Sequence, residues 1–206
     1  MQEMKCQICD SDIKSDRVDL IVLAGHKFSI CHWREGVVDT FVRLKINRSV
    51  VNLMWGAGRI GPSDWISTRN FIHDHNITEV LEYGSGLSTE LLALEGLKVV
   101  TMDIMEQHSR VMKNHFALFR NFNVDVLYYP DSDHLPDLNS LYPDKKWDFI
   151  FIDGPQERRR EVKHAMEVCS KYISLHDAGC GGKDLLENNS AWEGPKFGMQ
   201  IWEKME

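Results

Sequence analysis

Two glycines followed at a fixed distance by an acid form the most informative pattern in this 206-residue chain. Gly84 and Gly86 lie in residues 82–89, EYGSGLST, where bare backbone can turn tightly and let a ligand approach the peptide closely. Asp103 comes nineteen residues after Gly84, a spacing at which a carboxylate can accept hydrogen bonds from both ribose hydroxyls of a nucleoside. The pattern predicts a nucleoside site; the alternative is that the glycines serve only a turn and the acid only caps a helix.

Further polar residues follow the later predicted strands. Asp131 follows the third strand, Asp153 the fourth, and His176 and Asp177 the fifth. Ligands of open α/β sheets lie beyond the carboxyl ends of the strands, so these side chains are candidates for chemistry. A histidine there can act as a general base near neutral pH, and Asp153 with Asp177 could hold magnesium or another divalent cation. The alternative for His176 is a hydrogen-bonded residue that ends a strand.

Cysteines and histidines near the N-terminus predict a structural zinc site. Cys6 and Cys9 form a C-x-x-C pair, and Cys31 follows a predicted hairpin whose turn contains His26. Three thiolates and one imidazole make a closed tetrahedral zinc site, and the metal would stabilise a head too small to fold alone. His32 is an alternative fourth ligand, although Cys31 and His32 face opposite ways in an alternating strand. A pair of reduced buried cysteines or a redox dithiol are the other interpretations.

The elements that must position the acids and glycines alternate between strand and helix. The predicted strands are 80–83, 98–102, 124–129, 147–152, 172–175 and 197–202, and the predicted helices are 63–75, 88–95, 105–120 and 157–170. Strands separated by helices of this length pair in parallel with right-handed crossovers. The predicted fold class is therefore α/β, a doubly wound, mostly parallel, Rossmann-like sheet. The loop 179–195, which carries Trp192, is predicted to be either a surface loop or a lid over the site.

The organisation of the chain changes near residue 60. Residues 55–62, WGAGRIGP, are dense in turn formers and indicate a linker. Residues 1–60 are predicted to form a small Cys/His head resembling a zinc ribbon, and residues 61–206 the nucleoside-binding domain. The predicted elements of the head are strands 18–23 and 28–33, which form a hairpin, and a helix over 35–45.

Composition and charge limit the classes of partner. The formal net charge of −7 argues against a broad nucleic-acid footprint; the short basic run at Arg158, Arg159 and Arg160 is predicted to be a solvated helix face. No window reaches the ~18 consecutive apolar residues of a membrane helix, and the polar N-terminus lacks a secretory apolar region. We therefore expect a soluble cytoplasmic protein with no membrane partner.

Residues 80–86, VLEYGSG, resemble the first motif of class I S-adenosylmethionine (SAM)-dependent methyltransferases. Asp103 matches that family's ribose-binding acid, and residues 147–155, WDFIFIDGP, resemble its fourth-strand motif. The likeness covers about residues 78–177. Thr89 stands where the third glycine of a dinucleotide-binding fingerprint would fall, which argues against a nicotinamide or flavin cofactor.

The resemblance implies a role for each residue of the predicted cofactor site. Glu82, Gly84 and Gly86 would surround the methionine end of the cofactor, Asp103 would hold the ribose, and Asp131 would contact the adenine. The predicted cofactor-binding residues are Glu82, Gly84, Ser85, Gly86, Ser88, Thr89, Asp103 and Asp131.

Methyl transfer to a hydroxyl also needs a way to remove the proton from that hydroxyl. His176 is the predicted base, with Asp153 as a second catalytic residue. The ends of the fourth and fifth strands also resemble methyltransferases that act on sugar hydroxyls of natural products with a metal, which implies a divalent cation at Asp153 and Asp177. His134, in the loop after the third strand, is predicted either to line the acceptor pocket or to be simply exposed.

The function predicted is SAM-dependent methyl transfer to a small-molecule or carbohydrate acceptor through a hydroxyl. One alternative is a methyltransferase for RNA or protein with the head as recognition module. Another is a non-catalytic zinc-binding interaction protein whose cofactor pocket is vestigial.

Overall fold

A computed structural model of the chain describes residues 4–5, 12–13, 18–23, 26–31, 60, 62–118, 122–131, 133–154, 158–176, 181–196 and 200–205. The chain divides into two compact units. The first comprises Met1–Asn76 with Gly86–Ser88, and the second comprises Ile77–Ser85 with Thr89–Glu206.

The described part of the first unit contains two short antiparallel strand pairs and one helix. Its elements are β1 (Met4–Lys5), β2 (Asp12–Ile13), β3 (Val18–Leu23), β4 (His26–Cys31) and α1 (Pro62–Asp74). β1 pairs with β2 and β3 with β4, so the predicted hairpin is present, with its second strand starting two residues earlier than expected. Cys6, Cys9, His32 and the predicted helix over 35–45 lie outside the described residues, as do the side chains of His26 and Cys31, and the zinc site stays a prediction.

Beyond Asn76, strands and helices alternate as the sequence predicts. The elements are β5 (Glu79–Tyr83), α2 (Leu87–Leu94), β6 (Lys98–Asp103), α3 (Glu106–Leu118), β7 (Val124–Tyr128), α4 (Leu138–Leu141), β8 (Trp147–Ile152), α5 (Arg158–Val168), β9 (Cys169–Leu175), α6 (Lys183–Glu187), β10 (Trp192–Lys196) and β11 (Ile201–Lys204).

These strands form one seven-stranded sheet of order β10-β11-β9-β8-β5-β6-β7. β9, β8, β5, β6 and β7 run parallel, whereas β10 and β11 are antiparallel to their neighbours. From β5 the chain first builds outwards through β6 and β7, then returns to build β8 and β9 on the other side of β5. This reversal is a topological switch point between β5 and β8, the place where doubly wound sheets bind ligands, and it confirms the predicted mostly parallel α/β fold.

The central strands of the sheet are buried along most of their length, and the apolar residues of β5, β6 and β8 form much of the core. Leu81 of β5, Val100 of β6 and Ile150 of β8 each have 0% exposure, as expected of parallel strands that are covered on both faces. The rigid core therefore fixes the strand ends that carry the predicted site residues.

Several elements differ from the sequence prediction: β9 begins three residues earlier, β11 extends two residues beyond the predicted end of the last strand, and α4 was not predicted. Helix α5 ends at Val168 and not at Ser170, because Cys169 already pairs with Trp147 as the first residue of β9. The loop 179–195 is not a lid: it contains α6 and β10, and Trp192 is only 7% exposed in the hydrophobic core. Because Gly194 and Pro195 are residue types that strands disfavour, the sequence did not predict β10. The strand tolerates the proline because it lies at the edge of the sheet. None of the helices in the described ranges has both the length and the apolar character needed to cross a membrane.

Candidate active site

Main-chain hydrogen bonds align the carboxyl ends of the parallel strands. Each bond extends the pairing of two strands by one residue, so the backbone of the adjacent strand holds the first residue after each of these strands. Gly84 N–H donates to the Met102 carbonyl (2.8 Å), Asp153 to Tyr83 (2.8 Å), His176 to Ile152 (3.0 Å) and Tyr129 to Asp103 (3.1 Å). The residues that the sequence placed after different strands are therefore brought to one edge of the sheet.

Gly84 lies at the switch point, where the ends of β5 and β8 meet. Its φ of +92° is in the left-handed region, and a Cβ there would lie 2.7 Å from the Asp153 carbonyl oxygen and 2.8 Å from the Gly154 Cα. Both the backbone conformation and the close approach of the two chains require glycine. Gly86 immediately precedes α2, and Ser88 lies in its first turn with 4% exposure.

Asp103 ends β6 and is the centre of a hydrogen-bonded cluster. Its Oδ2 accepts from the Ser85 hydroxyl (2.6 Å), the Ser85 N–H (3.2 Å) and His108 Nδ1 (2.8 Å), and its Oδ1 accepts from the Met105 N–H (2.7 Å). Burial raises the pKa of Asp103, but the hydrogen bonds from His108 and Ser85 outweigh it and hold that pKa below its usual value. The structure thus brings together two predicted residues, Asp103 and Ser85, in an ionised, rigidly held group.

Glu82 and Thr89 form a second buried contact close to the glycine turn. Both residues have 0% exposure, and the Thr89 hydroxyl donates to Glu82 Oε2 at 2.5 Å. This bond connects the end of β5 to the first turn of α2.

Asp131 and His134 lie apart from this cluster, in the loop after the edge strand β7. Asp131 Oδ1 accepts from His134 Nδ1 (2.7 Å) and from the Asp133 N–H (2.9 Å), and these bonds, chiefly the one from His134, lower the pKa of Asp131. The two side chains are 51% and 70% exposed. In the sheet order β5 and β6 separate β7 from β8, so His134 does not join His176.

Asp153 and His176 form a hydrogen-bonded pair across the ends of β8 and β9. His176 Nδ1 lies 2.9 Å from Asp153 Oδ1, and the two side chains are only 13% and 6% exposed. Donation from Nδ1 to the carboxylate selects the tautomer whose basic lone pair is on Nε2. The imidazole is thus held in one orientation at the end of β9, and its role as a base stays a prediction.

Arg158, in the first turn of α5, contacts both members of this pair and holds them in place. The sequence analysis did not predict this role. Its Nε donates to the Gly154 carbonyl at 2.9 Å, Nη1 donates to the His176 carbonyl, and Nη2 lies 3.4 Å from Asp153 Oδ1. Arg158 is only 5% exposed, so the prediction of a solvated basic face is wrong for this residue. It holds for Arg159 and Arg160, which are about half exposed and pair with surface carboxylates.

A divalent cation at Asp153 would have to compete with this arrangement. The Asp153 carboxylate already faces a guanidinium and an imidazole, and a nearby positive charge disfavours binding of a cation. Asp177, the second predicted ligand, lies outside the described residues, and within them no group of three or more His, Cys, Asp or Glu side chains is placed to hold a metal. The cation site stays a prediction.

Glu161, one turn beyond Arg158, is a further buried acid that the sequence reading did not single out. It is 1% exposed, and the Tyr129 hydroxyl donates to its Oε1 at 2.6 Å. Burial raises the pKa of Glu161 to about 7, against the opposing effects of the Tyr129 hydrogen bond and the Arg158 charge. The helical spacing does place both residues on the buried face, since Arg158 and Glu161 continue the predicted apolar stripe at Val162 and Ala165 towards the N-terminus of α5.

Comparisons with known proteins identify the fold. No protein-family model and no curated protein matches the chain. Among solved structures, the O-methyltransferase from Bacillus cereus in complex with S-adenosylhomocysteine (SAH) matches with a TM-score of 0.59 and 17% identity, over 82% of this chain and 91% of that chain. The chain therefore shares the fold of that enzyme.

Two further solved structures match more distantly. Magnesium protoporphyrin IX methyltransferase from Synechocystis PCC 6803 matches with a TM-score of 0.47 and 16% identity, over 81% of this chain and 96% of that chain. An rRNA methylase from Streptococcus thermophilus matches with a TM-score of 0.43 and 14% identity, over 68% of this chain and 95% of that chain.

Removal of the Arg158 side chain should strongly destabilise the protein. Arg158→Ala leaves Asp153 without its buried guanidinium and two carbonyls without their donor, and breaking a buried ion pair in this way costs about 3–5 kcal/mol. Arg159→Ala, which removes an exposed ion pair on the same helix, should cost about 1 kcal/mol or less. Urea unfolding of both variants measures the two costs, and equal effects would contradict the role of Arg158 in holding the pair.

The raised pKa of Glu161 should make stability depend on pH. The folded state holds this proton more tightly than the unfolded chain, whose pKa is near 4.5. The contribution of Glu161 to the free energy of unfolding is therefore fully present below pH 4.5 and is lost as the pH rises through about 7. The loss amounts to at most about 3 kcal/mol. Glu161→Gln should flatten the fall in unfolding free energy between pH 5.5 and 8, whereas Glu167→Gln, on the exposed face of α5, should keep it. A slope that survives in Glu161→Gln would contradict the assignment.

Proposed function

We propose that this protein is a SAM-dependent methyltransferase that methylates a hydroxyl of a small-molecule or carbohydrate acceptor. The observation that carries the proposal is the arrangement at the switch point, where the Gly84 bend and the fixed carboxylate of Asp103 lie at neighbouring strand ends. The Bacillus cereus O-methyltransferase that shares this fold is in complex with SAH, which supports the choice of cofactor. Doubly wound sheets bind their ligands at this place.

The residues present fit a nucleoside with an amino-acid tail. A carboxylate offers about four lone-pair sites, and Asp103 Oδ1 accepts one hydrogen bond among the described residues, which leaves capacity for a ribose hydroxyl. Asp103 Oδ2 already has three donors, so a bond to the second hydroxyl requires Ser85 to turn away. We assign the methionine end to the residues around the glycine turn and the adenine to Asp131; the turn residues are Glu82, Gly84, Ser85, Gly86, Ser88 and Thr89.

His176 is the proposed general base. When bound, SAM would supply an activated methyl group on its sulfonium for transfer to the acceptor oxygen. His176 Nε2 takes the proton of the acceptor hydroxyl, and Asp153, fixed by Arg158, holds the Nδ1 proton and stabilises the imidazolium. The residues thus supply position and proton transfer, since the cofactor already carries the reactive group.

The charge of the chain favours a neutral or weakly charged acceptor. With a net charge of −7, the surface repels polyanions such as RNA at long range. Small phenols and sugars carry no such penalty, and they present the hydroxyl that His176 requires.

Calorimetry with SAM tests the cofactor assignment. We expect SAM to bind with a dissociation constant in the micromolar range, and Asp103→Ala to weaken binding by about tenfold or more, because a hydrogen bond to a charged group contributes about 1.5–3 kcal/mol. Asp148→Ala is the matched control, since Asp148 is a half-exposed acid of β8 that pairs with Lys171. Equal binding by Asp103→Ala and the unaltered protein would show that the ribose assignment is wrong.

A methyl-transfer assay tests His176. With methyl-labelled SAM and a panel of phenols and monosaccharides, we expect His176→Gln to lower kcat by about 10²–10⁴-fold, the contribution of a general base, and to leave the dissociation constant of SAM within about threefold. Transfer at an undiminished rate would exclude His176 as the base. If that rate disappeared on addition of a chelator, a cation at Asp153 and Asp177 would take its place.

A further inference from the structure

The Glu161 carboxyl lies against the backbone that follows β8. A Cβ on Gly154 would overlap both of its carboxylate oxygens, so the carboxyl packs against the residue that follows Asp153. The Gly154 Cα in turn lies 2.8 Å from the position that a Cβ on Gly84 would take. Tyr129, which follows β7, fixes Oε1, while Oε2 is buried and has no hydrogen-bond partner among the described residues.

Charged and titratable groups of four strands or strand ends, and of its own helix, interact electrostatically with Glu161. They are Tyr83 of β5, Asp103 of β6, Tyr129 after β7, Asp153 after β8 and Arg158 on its own helix. Asp103 and Asp153 raise the pKa of Glu161, and Arg158 lowers it, although burial is the largest cause of the shift. Because the surroundings are of low dielectric, one further charge in the crevice has a large effect on this carboxyl.

The cofactor and its product differ in the charge that they bring to this place. SAM carries a sulfonium and has a net charge of +1 at neutral pH, whereas SAH carries a neutral thioether. A positive charge above Gly84 and Gly154 favours the ionised carboxylate of Glu161, and a neutral sulfur does not.

We propose that Glu161 is the residue by which this protein distinguishes the cationic cofactor from the neutral product. The buried carboxyl releases its proton when the sulfonium compound occupies the crevice and keeps it when SAH does. The inference rests on the proposed function, since it requires SAM to bind at the switch point. By linkage, SAM must bind more tightly as the pH rises and Glu161 becomes ionised before the ligand arrives.

Calorimetric titration of the 206-residue chain with SAM and, separately, with SAH at pH 5.5, 6.5 and 7.5 tests the proposal. We expect the ratio of SAM to SAH affinity to rise about tenfold over this range in the unaltered protein, within the usual size of a coupling between two sites. In Glu161→Gln the ratio should be flat, and in the control Glu167→Gln it should rise as in the unaltered protein. The comparison removes any titration of the ligands themselves, because that is common to all three proteins.

A second measurement uses only the unaltered protein. At pH 6.5, binding of SAM should release more protons than binding of SAH, which calorimetry in phosphate and in Tris detects as a buffer-dependent enthalpy. A constant affinity ratio with equal proton release would overturn the role of Glu161 and leave the proposed function intact. Failure of SAM to bind at any pH would overturn the proposed function and this inference together.

Discussion

The alignment of four strand ends at the edge of one sheet is the constraint on which the site depends. β5, β6 and β8 are buried along most of their length, and strand pairing aligns their carboxyl ends with that of β9. Hydrogen bonds that run one residue past the strands then fix Gly84, Asp153 and His176 side by side. A rigid edge of this kind pre-orients the groups that it carries, which is what the proposed displacement reaction requires.

The candidate site also depends on how the buried charged groups at this edge of the sheet are paired. Asp103 is matched by His108 and Ser85, and Asp153 by Arg158 and His176. Among the described residues, the hydroxyl of Tyr129 is the hydrogen-bond donor to Glu161. The charge of Arg158, on the same helix, interacts with this carboxyl electrostatically. A cationic ligand would complete this balance, since a buried carboxylate without a full set of partners is costly.

The sequence was sufficient for the order of the parallel strands and for the residues that follow them, because both follow from local patterns. Alternating apolar runs predicted each parallel strand, and the spacing from Gly84 to Asp103 predicted a pair of groups that the structure does place at neighbouring strand ends. It did not predict the burial of Arg158 and Glu161: their positions continue the apolar stripe of α5, but charged residues on a helix are ordinarily solvated. It also missed β10, where Gly194 and Pro195 contradict the local preference for a strand and pairing with β11 overrides it.

A crystal structure of the protein soaked with SAH would decide whether the crevice at the strand ends binds the cofactor. We expect density for the ligand at the switch point between β5 and β8, with a ribose hydroxyl within hydrogen-bond distance of Asp103 and the sulfur facing the Gly84 bend. Density elsewhere on the surface, or a crevice that stays empty at saturating ligand, would contradict this expectation.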